Sequence, residues 1–260
     1  MSLIQHYPDR PEKVYFFGTC LIDLLYPQAG LAGMRLIQRE GVQVIFPQDQ
    51  TCCGQPAWNS GYRNETRAVV LNQIRCFPKD YPIVVPSGSC AGMMRHHYPE
   101  VFKGKPEEAL VNEFSQRVFE LTEFLVHVLK IELKDLGEPV KVALHTACSA
   151  RREMGVADEH EALLRQLGNV QLVEQARKAE CCGFGGTFAV KHPDISAAMV
   201  ADKAQAISDT GADQLVSGDC GCLMNITGHM EHQGIGPRNH HIKGQHIASF
   251  LWERTHATKS

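Results

Sequence analysis

The chain has 260 residues, 43% of them hydrophobic and 21% charged, with a net charge of −3. That is an ordinary globular composition, long enough for one large or two smaller cores, and it lacks the basic excess that nucleic-acid binding requires. The N-terminal stretch MSLIQHYPDRPEKVYFF has no apolar run of signal-peptide form, and no stretch of the chain reads as a membrane span, so a cytoplasmic protein is expected.

In chain order, KVYFFGT reads as a short buried strand and leads to Cys20. A helix follows over GLAGMRLIQREG, then a strand over VQVIFP, then the loop QTCCGQPAWNSG with Cys52, Cys53 and Gly54. A helix over NETRAVVLNQIRCF precedes a third strand, PIVVPS, with Cys90 beyond its end. The apolar stretch from Val118 to Leu133 is broken by Glu120, Glu123, His127, Lys130 and Glu132, so it is expected to form one amphipathic helix. LKDLGEP, 133–139, marks the boundary between residues 1–135 and 136–260.

The second half repeats the plan. KVALHTA leads to Cys148, EHEALLRQLGN is a helix, VQLVE a strand, and AECCGFGGTFAVK carries Cys181 and Cys182. The helix PDISAAMVADKAQAIS opens with Pro193 and Asp194, a good helix start, and the strand DQLVSG precedes Cys220 and Cys222. GIGPRNHHIKG reads as an irregular loop before a last helix, HIASFLWER.

The cysteines keep step between the halves. Cys20 to Cys148 spans 128 residues, Cys52 to Cys181 and Cys53 to Cys182 each 129, and Cys90 to Cys222 spans 132. Alternating strands and helices argue for an α/β fold of two pseudo-twofold-related repeats, each a small parallel sheet flanked by helices. In such sheets ligands gather beyond the carboxyl ends of the strands, where every one of these cysteines falls.

Ten cysteines in a chain expected in a reducing compartment point to metal binding or thiol chemistry more than to disulfides. Neighbouring residues such as Cys52 and Cys53 stand about 3.8 Å apart at Cα, too close for an unstrained disulfide with each other. Soft thiolates suit zinc or iron–sulfur groups. The C-x₂₋₄-C knuckle of a single zinc is not the spacing used here, and side-by-side cysteines suit an extended cluster better, leaving zinc and plain thiol chemistry as the alternatives.

The two patterns C-x₃₁-CCG-x₃₅-C and C-x₃₂-CCG-x₃₈-C resemble the cysteine-rich CCG domain found in the B-type chain of heterodisulfide reductases, in glycolate oxidase iron–sulfur subunits and in lactate utilization proteins. CCGQPAWNSGY, CCGFGGTFAVK and CLMNITG are most similar to the A-type lactate utilization proteins, the E-type iron–sulfur chains of an L-lactate dehydrogenase complex. The resemblance implies one or two [4Fe-4S] clusters, held by Cys20, Cys52, Cys53 and Cys90 and by Cys148, Cys181, Cys182 and Cys222, in a cytoplasmic subunit acting in lactate oxidation to pyruvate. It implies a ferredoxin-like iron–sulfur subunit and a third subunit as partners. A thiol/disulfide reductase subunit and a non-catalytic, metal-stabilised binding module are the rival readings.

The heterodisulfide reductase pattern ends in CxxC, whereas Cys90 is followed by AGM and Cys222 by LMN. Four thiols per half suffice for an ordinary [4Fe-4S] group. Aligning SGSC with SGDC would pair Cys90 with Cys220, while the similarity of CLMNITG favours Cys222. The family pattern H-x-x-C-x-x-x-R points to His145 and Arg152 as residues supporting the second set. Cys76 reads as a small buried hydrophobe, GFGG as part of the cluster loop, and the pairs His96/His97 and His240/His241 as surface residues. No flavin or nicotinamide fingerprint and no ferredoxin run occurs, so the chain is expected to need partners for a complete electron path.

Overall fold

In the computed structural model, which describes residues 7–235 and 242–256, the chain forms two four-stranded, wholly parallel sheets flanked by helices. The first contains β1 (Lys13–Phe16), β2 (Gln43–Ile45), β3 (Ile83–Val85) and β4 (Val118–Glu120), in the spatial order β2-β1-β3-β4. The second contains β5 (Val140–His145), β6 (Val170–Val173), β7 (Gln214–Ser217) and β8 (Lys243–His246), in the order β6-β5-β7-β8. Strand for strand, the second order repeats the first.

Side chains that alternate along the strands feed two cores. Val14, Phe16 and Val84 pack with Leu36, Ile37 and Leu125, and the second sheet adds Val142 and Val216 to the same cluster. Tyr15, Ile83 and Val85 pack with Val70, Met93 and Phe114, joined by Ala143 and Leu215. Each core therefore runs through both halves.

Sheet register fixes which residues correspond. Tyr15 pairs with Ile83, and Ala143, 128 residues after Tyr15, pairs with Leu215. The third strands are thus offset by 132, which is the separation of Cys90 and Cys222, so Cys222 is the positional counterpart of Cys90. Cys220 corresponds to Gly88 on the same register. Val85 pairs with Glu120 and Ser217 with His246, which places ELTEFL over HIASFL.

The fourth strands correct two expectations. The segment from Val118 to Leu133 is not one helix: Val118–Glu120 pair with β3, and helical winding covers only Leu121–Leu129, ending where Lys130 turns left-handed at φ 53°. Glu120 forms the joint, accepting from the backbone N–H groups of Thr122 and Glu123 at 2.6 and 3.2 Å. In GIGPRNHHIKG, Lys243 and Gly244 belong to β8 instead of a loop, whereas 236–241, including His240 and His241, lie outside the described residues.

Helices are exchanged between the halves. Pro27–Arg39, which follows β1, packs against Ile247–Thr255, which follows β8, and Arg39 Nη1 donates to Thr255 Oγ1 at 2.9 Å. Reciprocally, Ala157–Arg165 packs against the helix after β4, where His127 Nε2 and Glu159 Oε1 are 2.8 Å apart. No helix among the described residues is long and apolar enough to cross a membrane.

Candidate metal centre

Three loops in each half leave the carboxyl ends of the central strands and carry the cysteines. After β1, Thr19 adopts φ 44° and its Oγ1 accepts from the Ile22 N–H at 3.3 Å, starting the helix Cys20–Leu25 at Cys20. In the CCG loops, Gly54 and Gly183 take φ 87° and 81°, a left-handed turn that most side chains resist, and the chain swings away directly after each cysteine pair. A Cβ at Gly183 would also meet the Ser196 carbonyl oxygen at 2.7 Å. After β3, Ser87 caps the helix Gly88–Gly92 that bears Cys90; after β7, Asp219 stands at the same point before the helix Cys220–Gln233.

The loops converge on one crevice of about 370 Å³ between the halves. Every cysteine except Cys76 lines it. In the first half the thiol of Cys20 neighbours that of Cys52, Cys52 neighbours Cys53, and Cys53 neighbours Cys90, close enough for each to bear on the next one's proton. The second half repeats the chain of contacts: Cys148 to Cys181, Cys181 to Cys182, Cys182 to Cys222. Hydrogen bonds from Cys20, Cys53 and the Gly54 N–H hold the Cys52 thiol well below the ordinary thiol range. Cys20 and Cys53 are pushed up, by the hydrogen bonds to Cys52 and by burial. Cys148 is raised by its bond to Cys181 and by burial; in Cys182 the bond to Cys181 acts downward but is outweighed by Cys222 and burial. Thiols that share protons within such a chain exchange them for a soft cation, because the thiolate is the ligand form.

The backbone of each cysteine pair is pinned from below. Tyr98 Oη donates to the Cys53 carbonyl at 2.9 Å, and Asn225 Nδ2 to the Cys182 carbonyl at 2.8 Å. Gln73 Nε2 adds a bond to the Cys52 carbonyl at 3.3 Å. At the seam, Asp219 accepts from Ser87 Oγ and Ser89 Oγ, both at 2.7 Å, and from the backbone N–H groups of Gly88 and Ser89 at 3.1 and 3.4 Å. The two equivalent cap residues, Ser87 and Asp219, thus bind each other across the halves. Gly221 is required here for space: a Cβ would run into the Phe184 ring of the second CCG loop.

His145, the last residue of β5, is 1% exposed and neither ring nitrogen has a hydrogen-bond partner among the described residues. Its ligand atom and the sulfurs of Cys182 and Cys222 all lie within 4.8 Å of one another. Burial, with Lys203 and Arg151 next, depresses its pKa to about 3, so the ring is neutral. The residues therefore offer two sets of four soft donors, with an imidazole beside the second. That chemistry fits a thiolate-bound metal or cluster.

The cysteine-rich CCG domain profile matches residues 14–95 and 142–227. Over 245 residues the chain is 44% identical to lactate utilization protein A of Geobacillus sp. (strain WCH70), covering 93% of this chain and 100% of that one. It belongs to the lactate utilization protein A family of CCG cysteine-rich proteins. The family protein of Macrococcus caseolyticus is 40% identical over 240 residues, 92% of this chain and 96% of its own. Among solved structures, a hypothetical protein from Helicobacter pylori matches with a TM-score of 0.67 over 97% of this chain at 11% identity. That likeness is one of fold alone, and this chain spans about half of that one, 51%.

Within this lactate utilization family member, the eight cysteines singled out in the sequence come together, four from each half, and His145 joins the second four. Arg152 does not reach them; it is exposed on the turn Ala150–Met154, and Arg151 is the arginine whose charge is felt at His145. Cys220 faces the other half, packing with Ile22, Ala29, Leu21 and Tyr26 and lying near Cys90. Phe184, Gly185 and Gly186 of GFGG line the crevice. His97 is not a plain surface residue: it is half-buried, lines the crevice and contacts Glu153 at 3.4 Å and Glu100 at 3.1 Å. The Glu153 hydrogen bond raises its pKa against the pull of burial. Cys76 is half-buried instead of buried, its Sγ donating to the Asp49 and Asn72 carbonyls. No motif marks Asp219, although its place as the only acid in the SGSC/SGDC pair is a usable signal.

Proposed function

We propose that this chain is the iron–sulfur electron-transfer subunit of a cytoplasmic complex that oxidises L-lactate to pyruvate. Cys20, Cys52, Cys53 and Cys90 hold one [4Fe-4S] group, and Cys148, Cys181, Cys182 and Cys222 a second. The observation that carries this reading is the gathering of two equivalent four-thiol sets in one crevice, in a chain whose relatives bear the name lactate utilization protein A. When bound, such a group takes up and releases single electrons. The chain's own residues do the remainder. Tyr98 and Asn225 fix the paired cysteines, and the cores beneath the crevice keep water from the buried side. Exposed Leu24, Leu25, Tyr62 and Val190 lie on the segments that follow Cys20 and the two CCG loops, apolar side chains open to contact with a ferredoxin-like subunit and a third subunit.

Anaerobically prepared protein is expected to be brown and to contain iron and acid-labile sulfide. Lactate-dependent dye reduction is expected only after co-expression with the two other subunits. Robust lactate oxidation by the chain alone would overturn its role as a dependent subunit. A second reading has one observation behind it: His145, Cys182 and Cys222 would also suit a single zinc ion. Stoichiometric zinc without sulfide in the same assay would establish that reading and sink the first.

A further inference from the structure

Phe17 and His145 occupy the same place in the two sheets. Each lies two residues beyond an equivalent pair, Tyr15 and Ala143, and each is buried, at 0% and 1% exposure. Phe17 belongs to the apolar cluster that also contains Cys53 and Cys90. His145 instead brings a ring nitrogen within 4.8 Å of the sulfurs of Cys182 and Cys222. A neutral imidazole always carries one N–H, and no group among the described residues accepts it. A buried donor of this kind is normally satisfied. The sulfurs of Cys182 and Cys222, and of any group they hold, are acceptors on that side of the ring.

We propose that His145 donates a hydrogen bond to sulfur of the group held by the second set, and so makes that group the more easily reduced of the two. The inference rests on the iron–sulfur reading above. An N–H directed at sulfur stabilises the extra negative charge of the reduced state and moves the potential upward, whereas the first set has a phenyl ring at that position. The cations near His145, Lys203 and Arg151, act in the same direction. Asp219 acts in the opposite one, being close to Cys148 and Cys222, but its carboxylate is occupied by the hydroxyls of Ser87 and Ser89 and two backbone N–H groups. The difference concerns one electron per group, supplied in the test by dithionite, with no protein bond made or broken.

The test is a reductive titration of the full, anaerobically prepared chain followed by electron paramagnetic resonance, with iron and sulfide measured on every sample. Cys52→Ser assigns which signal belongs to the second set. Two separate reduction steps are expected, the more positive from the second set. His145→Phe, which copies the first half, should shift that step to more negative potential and narrow the gap at unchanged iron and sulfide. His145→Gln, which keeps an N–H donor, should retain most of the gap. An unmoved step in His145→Phe with normal loading overturns the inference alone, as does a wild-type second-set step lying below the first. Loss of iron from the second set in both variants also overturns it, making His145 a ligand instead of a donor. A wild-type chain that takes up neither iron nor sulfide overturns the iron–sulfur reading itself, and the inference falls with it.

Discussion

The two halves share strand order and cysteine positions, yet differ in what stands at equivalent buried places. Phe17 faces His145, Ser87 faces Asp219, and Glu120 faces His246. Parallel pairing and apolar alternation constrain the backbone and the thiols. They leave open the polar residue at each strand end, and that residue sets the local electrostatics. The repeat therefore preserves the placement of the thiols and varies the environment around them.

The largest expected effect breaks one half while leaving the other. Cys53→Ser should remove iron from the first set only, and Cys182→Ser from the second only, each lowering total iron and sulfide by about half, since each set supplies its own thiolates. Loss of all metal from either single variant would show that the crevice holds one shared group.

Next comes a buried ion pair found in one half alone. Arg95 Nη2 and Glu123 Oε2 are 2.7 Å apart, with Arg95 also donating to the Val118 carbonyl, whereas Thr227 and Ser249 occupy the matching positions. Arg95→Met should cost about 3 kcal/mol in urea unfolding, because it strands a buried carboxylate. Arg95→Met with Glu123→Leu should recover most of that loss. An unaffected single variant would mean that the pair is solvated.

The equivalent cap residues Glu120 and His246 should give opposite pH dependences. Burial raises the Glu120 carboxyl above its ordinary 4.5, so the native state binds the extra proton and the associated stability is lost as pH rises from about 4.5 through the higher native value. Burial depresses His246 from 6.5 to about 4, so the unfolded chain binds the extra proton and stability falls as pH drops from 6.5 towards 4. Glu120→Gln should flatten the first slope and His246→Asn the second, as followed by chemical denaturation across pH. A single slope affected by both variants would defeat the comparison.

Gly88 sharpens the seam. A Cβ there would meet Ala150 Cβ at 2.5 Å and its Cα at 2.7 Å, although the matching residue in the second half, Cys220, has a side chain with room to lie. Gly88→Ala should cost about 2 kcal/mol by overpacking, read from the shift in urea midpoint. The smallest effect is expected at Cys76, which has no counterpart and is half-buried: Cys76→Ala should change stability by less than ~1 kcal/mol and leave metal content untouched.

Much of this is legible in the sequence because the chemistry is repeated. Constant cysteine offsets reveal the two repeats, and strands such as KVYF and IVV announce themselves by apolar, β-branched runs. The fourth strands are hidden for physical reasons. Val118–Glu120 is three residues long and runs straight into a helix with apolar residues on both sides, so periodicity cannot separate them. Lys243–His246 reads KGQH, with no strand-like composition, and pairs only because β7 supplies a partner edge. The repeat of LTEFL in IASFL, 126 residues on, is the signal available. His97 cannot be placed in the crevice from HH alone, since its position depends on how Met93–His97 winds against Glu153. Motif spacing favours Arg152 over Arg151, but side-chain direction on that turn puts Arg152 in solvent.

The exchanged helices carry a consequence for assembly. Pro27–Arg39 finds its apolar partner in Ile247–Thr255, and Ala157–Arg165 finds its own in Leu121–Leu129, so each half completes the other as identical subunits do across a symmetric dimer interface. Chain continuity near Leu136 is then incidental to what holds the molecule together. A gene cut there and expressed as two polypeptides should yield fragments that recognise each other and purify as a stoichiometric pair, whereas fragments that stay apart would show the link to be indispensable.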